Sequence, residues 1–357
     1  MTSIFVFISG ATLLVISAEK LIAHLVGAAS GLRIPLFLLA VVFTGVEFDD
    51  ITLGVGLNLD DLNGVALGVV LGTALSFTGV VLALAAILVP SKVDIPPDYA
   101  IVFAVAPLVM VGFTLSGSLT ATDGLVLLGL FVLFIAYVAA RELRRNVPVF
   151  RDAEVYEAAA VGGPGGGAQP GRGAQAYVRQ EESDRAGTRA DDEAVTEAGA
   201  LPGWAHLGLA VLALAGLIIG AATTSTGTQG ILDTYRLEGT VFGATIVTAV
   251  LTVEDVFVTV ESFRKGVPEL GVGNVIGSLV FSVTGKLGIT LLAGDIVIGK
   301  DVLSWHLPAL IALTALGAYF LSTGRLKRWH GGILLALYAG YWVISLVAFG
   351  GAPVQLD

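Results

Sequence analysis

The sequence predicts an all-α integral membrane protein, with about ten transmembrane helices in two inverted five-helix repeats. Three observations carry this prediction. Of the 357 residues, 55% are hydrophobic and only 13% are charged, with a mean hydropathy of +0.87, whereas soluble domains carry about 25% charged residues. Apolar runs of the roughly 20 residues needed to cross a bilayer recur along the chain. A gapless shift of 205 residues (255 − 50) superimposes part of the first half on the second.

The runs fall near 3–27, 34–58, 63–90, 99–117 and 121–142, then near 203–222, 238–262, 268–296, 302–322 and 329–349. The first has no basic residue ahead of it, so it reads as a retained helix and not as a cleaved signal peptide. Between the two sets lies a stretch rich in Gly, Ala and charge with no apolar period, read as an acidic disordered linker. The expected organisation is a first membrane repeat over 1–146, a cytoplasmic linker over 147–201 and a second membrane repeat over 202–357.

Composition excludes several functions. The absence of Cys removes disulfide and thiolate chemistry, and four scattered His argue against a histidine-rich metal centre. The net charge of −10 disfavours nucleic acid as a partner. Much of that charge lies in 151–197, with ten acids against five Arg, and Arg outnumbers Lys by 13 to 6. Acidic, Lys-poor connections suit the cytoplasm of a halophile. The expected partners are the lipid bilayer and inorganic cations, with no cofactor beyond transported ions.

Basic residues set the orientation. Arg33, Lys92, Arg141 with Arg144 and Arg145, Arg264 with Lys265, and Arg325 with Lys327 and Arg328 all fall in alternate connections. Only Arg236 and Lys300 fall on the other side. The positive-inside rule then places the linker in the cytoplasm and both termini outside the cell membrane. Trp204, Trp305 and Trp329 sit at span ends and suit interfacial anchoring.

The two halves therefore enter the membrane from opposite sides. The shift of 205 brings Leu32 onto Leu237, Phe37 onto Phe242 and Asp50 onto Asp255. In the same frame Gly68 meets Gly273, Gly72 meets Gly277 and Thr73 meets Ser278. Inverted repeats of this kind mark secondary transporters, with the substrate site near the midplane between the repeats.

The run "VFTGVEFDDITLG" places Glu47, Asp49 and Asp50 inside apolar sequence. A carboxylate at the centre of a membrane helix costs about 2.5–3.5 kcal/mol on insertion scales, so such residues are functional candidates. Glu47 and Asp50 are three apart and share a helical face, while Asp49 points about 100° away. In the second half Thr248, Thr252 and Asp255 share a face, and Glu254 is the counterpart of Asp49. If the inverted halves cross at mid-membrane, Asp50 and Asp255 approach one another, with metal binding expected there. Carboxylate, hydroxyl and carbonyl oxygens are the ligands hard cations require, and a bound cation would offset the buried negative charge. Gly64, Gly68 and Gly72, and likewise Gly273 and Gly277, recur at four and allow close helix approach; local unwinding there would also free carbonyls. Asn274 and Ser278 add polarity to the second glycine motif.

Lys286 lies in the eighth run, on the helical face of Ser278 and Ser282. A buried Lys needs a carboxylate partner or a lowered pKa. It is a candidate for carrying a proton or forming an ion pair. Lys20 with Glu19 reads as a local pair. Asp60 and Asp61 read as an outer turn, and Glu261 and Glu269 as surface.

At "VEDVFVTVESFRKGVPELGVGNVIGSLVFS" the sequence resembles the cation/calcium exchanger superfamily, the sodium/calcium exchanger membrane region. "RKGVPELGVGNVIGS" is similar to the second glycine signature of that family, "ALGVVLGT" is a weaker match to the first, and "SAEKLIAHLVGAASGLRIPLFLLAVVFTG" is similar to its opening helix. The resemblance covers both membrane halves and not the linker. It implies two inverted five-helix repeats and ion-binding Glu positions at Asp50 and Asp255. The preceding Pro positions fall on Asp49 and Glu254, and the Ser/Thr ligand positions on Val46, Glu47, Leu251 and Thr252. Downstream ligand positions fall on Thr73, Ala74 and Phe77, and on Ser278, Leu279 and Ser282. Lys286 would stand where a second cation binds in other exchangers. Both Glu are thus shortened to Asp, both Pro become acids and one Asn ligand becomes Phe.

The expected function is an antiporter, not an enzyme, exchanging Ca2+ or another cation for Na+ or H+ by alternating access. Opposing ions would compete for the same carboxylates. Three rivals stand beside it. An intramembrane aspartyl protease would use two membrane Asp as a dyad, but "GxGD" is absent around Asp50 and Asp255. A prenyltransferase would want Asp-rich pairs in both halves, and only the first half has them. A scaffold or sensor that keeps the fold without flux is the third.

Overall fold

The computed structural model describes residues 2–31, 47–142, 203–264, 266 and 268–350. The linker 147–201, residues 34–46 of the second expected span (Val46 among them), and Arg33, Arg144, Arg145 and Lys265 lie outside the described residues.

Among the described residues ten helices follow the expected order. The first half holds α1 (Thr2–Gly31), α2 (Phe48–Leu59), α3 (Asn63–Leu88), α4 (Pro97–Thr114) and α5 (Ala121–Glu142). The second holds α6 (Gly203–Tyr235), α7 (Gly239–Arg264), α8 (Pro268–Phe281, continuing to Leu291), α9 (Val302–Ser322) and α10 (Arg328–Phe349). Among the described residues nine helices are long and apolar enough to cross a membrane, and the tenth is the short α2. The protein is a multi-pass membrane protein. The sixth span outruns its expected end at 222 and runs to Tyr235, and the hydroxyls of Thr223, Thr224 and Thr226 in this polar stretch are satisfied by carbonyls one turn back.

Local chemistry explains the boundaries. Pro97 starts α4, where its missing N–H is an orphan in any case. Glu238 caps α7 by accepting from the Val241 N–H at 2.6 Å. Asp61 and Arg236 take positive φ of 60° and 53° in the turns before α3 and α7, one in each half.

The inverted symmetry is visible in three places. Helices α1 and α6 pack antiparallel, with Gly10 against Thr224, Gly220 against Leu14 and Gly227 against Phe7. A π-helical turn interrupts α3 at Phe77–Leu82 and α8 at Ser282–Lys286, again 205 residues apart (282 − 77). Two short strand pairs join the halves: β1 (Ser91–Lys92) pairs antiparallel with β4 (Arg325–Leu326), and β2 (Ser118–Leu119) with β3 (Ile296–Val297). Each pair takes one strand from each repeat.

The core has two clusters, and each mixes both repeats. One is built from α3, α4, α8, α9 and α10, around Phe77, Phe103, Leu279 and Leu310. The other joins α1, α2, α6 and α7, around Leu14, Leu53, Leu217 and Phe242. Phe5, Leu133, Leu212 and Phe257 are exposed on the outside, as a lipid-facing surface requires.

Gly68 and Gly72 act by removing side chains where α3 and α7 cross. A Cβ on Gly68 would meet the Thr240 carbonyl, and one on Gly72 would meet Thr248 and Ala244. The expected unwinding at Gly68, Gly72, Gly273 and Gly277 does not occur. Helix α3 is regular from Asn63 to Ser76 and α8 from Pro268 to Phe281, because close backbone packing needs an intact helix; the irregular turns come one step later.

Candidate functional site

The acids of the first half sit at a helix start and not along its face. Glu47 is the N-cap residue of α2, in extended conformation (φ −80°, ψ 95°), and Asp49 and Asp50 occupy the first turn. Glu47 therefore stands just outside the helix, but its carboxylate and that of Asp50 still face the same side, where both meet Lys286. The physical gain is direct: the first four N–H groups of a helix lack intrahelical partners and the helix dipole is positive there. Carboxylates are favoured at that end by about 0.3–1 kcal/mol each.

Three elements converge on one ammonium. Lys286, wholly buried on the π-helical turn of α8, donates to Asp50 Oδ2 in close contact, to Thr73 Oγ1 at 2.6 Å and to Glu47 Oε2 at 3.3 Å. Thr73, on α3, in turn donates a hydrogen bond from its hydroxyl to the Val69 carbonyl. Asp50 is 2% exposed. Glu47 Oε1 is buried without a hydrogen-bond partner among the described residues. The π-helical turn matters here because it rotates Lys286 out of regular register with Ser278 and Ser282, so spacing along a regular helix does not give its direction.

The acids of the second half complete the cluster. Asp255, on α7, lies within electrostatic reach of Asp49, Asp50, Glu254 and Lys286. Asp49 also feels Asp50 and Glu254. The direct partner of Asp50 is Lys286, and Asp255 meets Asp50 only through the longer-range interaction of their charges. Among the described residues no group of three or more acids or His is arranged to hold a metal ion. The cluster is not a preformed all-carboxylate cage.

The remaining expected residues divide. Thr252 is buried and its hydroxyl lies 2.9 Å from Ser76 Oγ, bridging α7 to α3. Thr248 donates to the Gly243 carbonyl at 2.8 Å. Ser278 and Ser282 are buried, and the Ser282 hydroxyl has no partner among the described residues. Asn274 donates to Thr259 Oγ1 at 3.4 Å, which ties α8 to α7. Gly68 and Gly72 serve the crossing with α7.

Two residues escaped sequence reasoning. Ser76 joins the Thr252 bridge and also donates to the Thr73 carbonyl at 2.9 Å; its spacing of three from Thr73 was the available signal. Asn58, 4% exposed, donates to the Thr290 and Gly294 carbonyls at 2.8 and 2.7 Å. It anchors the end of α2 to the end of α8, and nothing in its neighbourhood in sequence marks it.

Comparison with known proteins bears on the family and the fold. The profile of the family described as sodium/calcium exchanger protein matches residues 2–140 and 205–347. The chain is 30% identical over 135 residues to the sodium/calcium exchanger MaX1 of Methanosarcina acetivorans, covering 38% of this chain and 39% of that one. It is 28% identical over 121 residues to the putative antiporter CaxA of Alkalimonas amylolytica, covering 34% and 37%. These matches span about two fifths of the curated relatives' length. A solved structure of the sodium-calcium exchanger NCX_Mj, soaked with Na+ and Sr2+, superimposes with a TM-score of 0.55 at 18% identity, covering 97% of this chain and 98% of that one. At that identity the likeness is one of fold. Two inverted five-helix repeats, a partly buried acid cluster where they meet and a family match over both halves lead to one assignment: the chain belongs to the sodium/calcium exchanger protein family, whose members are transporters and not enzymes.

Proposed function

We propose that the chain is a secondary antiporter that exchanges Ca2+, or another cation, for Na+ or H+ by alternating access. The observation that carries this reading is the gathering of Asp50, which is buried, with the half-buried Asp49 and Asp255, from opposite repeats and close enough for their charges to interact. Buried carboxylates of like charge repel and are costly unless a cation joins them. The exchanged ion would sit by Asp49 and Asp255, with the hydroxyls of Thr252, Ser278 and Ser282 as neutral oxygen donors. Competition of the two ions for one set of carboxylates supplies coupling without contact between them. The protein works in the cell membrane, with the linker in the cytoplasm and both termini outside.

Reconstitution into proteoliposomes tests this. Ion-gradient-driven 45Ca2+ or 22Na+ uptake is expected in the wild type and lost in Asp255→Asn. Undiminished uptake in Asp255→Asn overturns the assignment. One observation favours a second reading, a non-transporting membrane scaffold: Asp50 already holds the ammonium of Lys286. No gradient-driven flux of any of Ca2+, Na+ or H+ in the wild type would select it.

A further inference from the structure

The acid cluster contains a cation of its own. We propose that the Lys286 ammonium is a built-in counter-cation that permanently fills the cation position formed by Asp50, Glu47 and Thr73, leaving the half-buried Asp49 and Asp255 for the exchanged ion. The inference rests on the antiporter reading for what the second position carries, but not for the first.

The ligand shell argues for it. Lys286 Nζ is surrounded by Asp50 Oδ2, Thr73 Oγ1 and Glu47 Oε2, two carboxylates and a hydroxyl from α2 and α3. That is an oxygen set suited to a hard cation. The ammonium has three donor hydrogens and all three are used, so it satisfies this position as a bound ion would. The side chain is 0% exposed and rises from a π-helical turn, a local irregularity that aims it at the acids. Glu47 Oε1, buried with no partner among the described residues, is a spare ligand for an ion larger in reach than the ammonium. A covalently tethered charge cannot be carried across the membrane. The wild-type protein therefore binds one monovalent cation fewer than the pocket could hold and moves correspondingly less charge in each cycle.

Equilibrium binding of 22Na+ and 45Ca2+ to purified full-length wild type, Lys286→Gln and Lys286→Arg tests the proposal. Lys286→Gln is expected to bind one additional Na+ per chain, and Lys286→Arg to keep the wild-type number. Thermal unfolding gives a readout that survives poor folding: the Tm of Lys286→Gln should rise with NaCl more steeply than that of wild type or Lys286→Arg, with choline chloride holding ionic strength constant. Equal Na+ stoichiometry in wild type and Lys286→Gln, with parallel Tm responses, overturns it. A wild type that transports nothing while Lys286→Gln still gains a Na+ sinks only the antiporter reading. A transporting wild type with an unchanged Lys286→Gln sinks only the tethered-cation proposal.

Discussion

Lys286 and Asp50, 236 residues apart in sequence and from opposite repeats, form a buried ion pair shielded from solvent on both sides. Removing one member of such a pair strands the other charge, at a cost of about 3–5 kcal/mol. Lys286→Met is expected to lower stability by about that amount in detergent, in Na+-free buffer. Lys286→Met combined with Asp50→Asn should cost clearly less than the sum of the single changes. Denaturation of all four proteins checks this, and additive losses would mean the two groups are not coupled.

The crossing of α3 and α7 predicts a contrast between glycines. Gly72→Val drives a branched side chain into Thr248 and the Ala244 backbone. Overpacking of this kind costs about 1–3 kcal/mol or more, and it also displaces Thr73, so uptake should fall along with Tm. Gly112 on α4 has no atom within 4 Å of an added Cβ. Gly112→Ala should leave uptake unchanged and not lower Tm. Similar behaviour of the two variants would contradict the packing described.

The Ser76–Thr252 bridge is a neutral hydrogen bond between repeats. Interhelical hydrogen bonds in membrane bundles average about 0.6 kcal/mol in double-mutant cycles. A cycle of Ser76→Ala and Thr252→Val should give a coupling energy of about that size. A value near zero would show that the two hydroxyls are satisfied elsewhere.

At the start of α9, Asp301 Oδ2 stands 3.6 Å from His306 Nε2, and the other ring nitrogen lies 2.7 Å from Tyr341 Oη. The interaction with His306 holds the Asp301 carboxyl below its ordinary range. A carboxyl with a depressed folded pKa adds stability above its unfolded value of about 3.9, and that contribution is lost as pH falls through the folded value. Asp301→Asn is therefore expected to lower Tm at neutral pH by the equivalent of about 1 kcal/mol or less. The gap from wild type should close below about pH 4. A gap independent of pH would point to packing instead.

Much of the fold was legible in the sequence because membrane spans are written in composition. The apolar runs at 63–90, 121–142 and 302–322 match α3, α5 and α9 closely. The gapless shift found the repeat through its glycines, and at Gly68 and Gly72 close packing leaves little room for any side chain. The site was legible in its members but less so in its geometry. Glu47 reads as helical by spacing, and only the backbone shows it to be the residue before the helix. The π-helical turns leave no mark in hydropathy, so Lys286 could be recognised as needing a partner but not matched to Asp50. Ser76 and Asn58 carry ordinary polar side chains whose roles depend on residues 176 and 232 positions away.

The two strand pairs have a mechanical corollary. Each is a main-chain staple whose halves come from different repeats, Ser91 and Lys92 with Leu326 and Arg325, Ser118 and Leu119 with Val297 and Ile296. Swinging one five-helix block rigidly against the other would tear both staples at once. Movement that keeps them must shear helices within the framework, and the antiparallel α1–α6 pair, which contributes no strand, is the part those staples leave untethered.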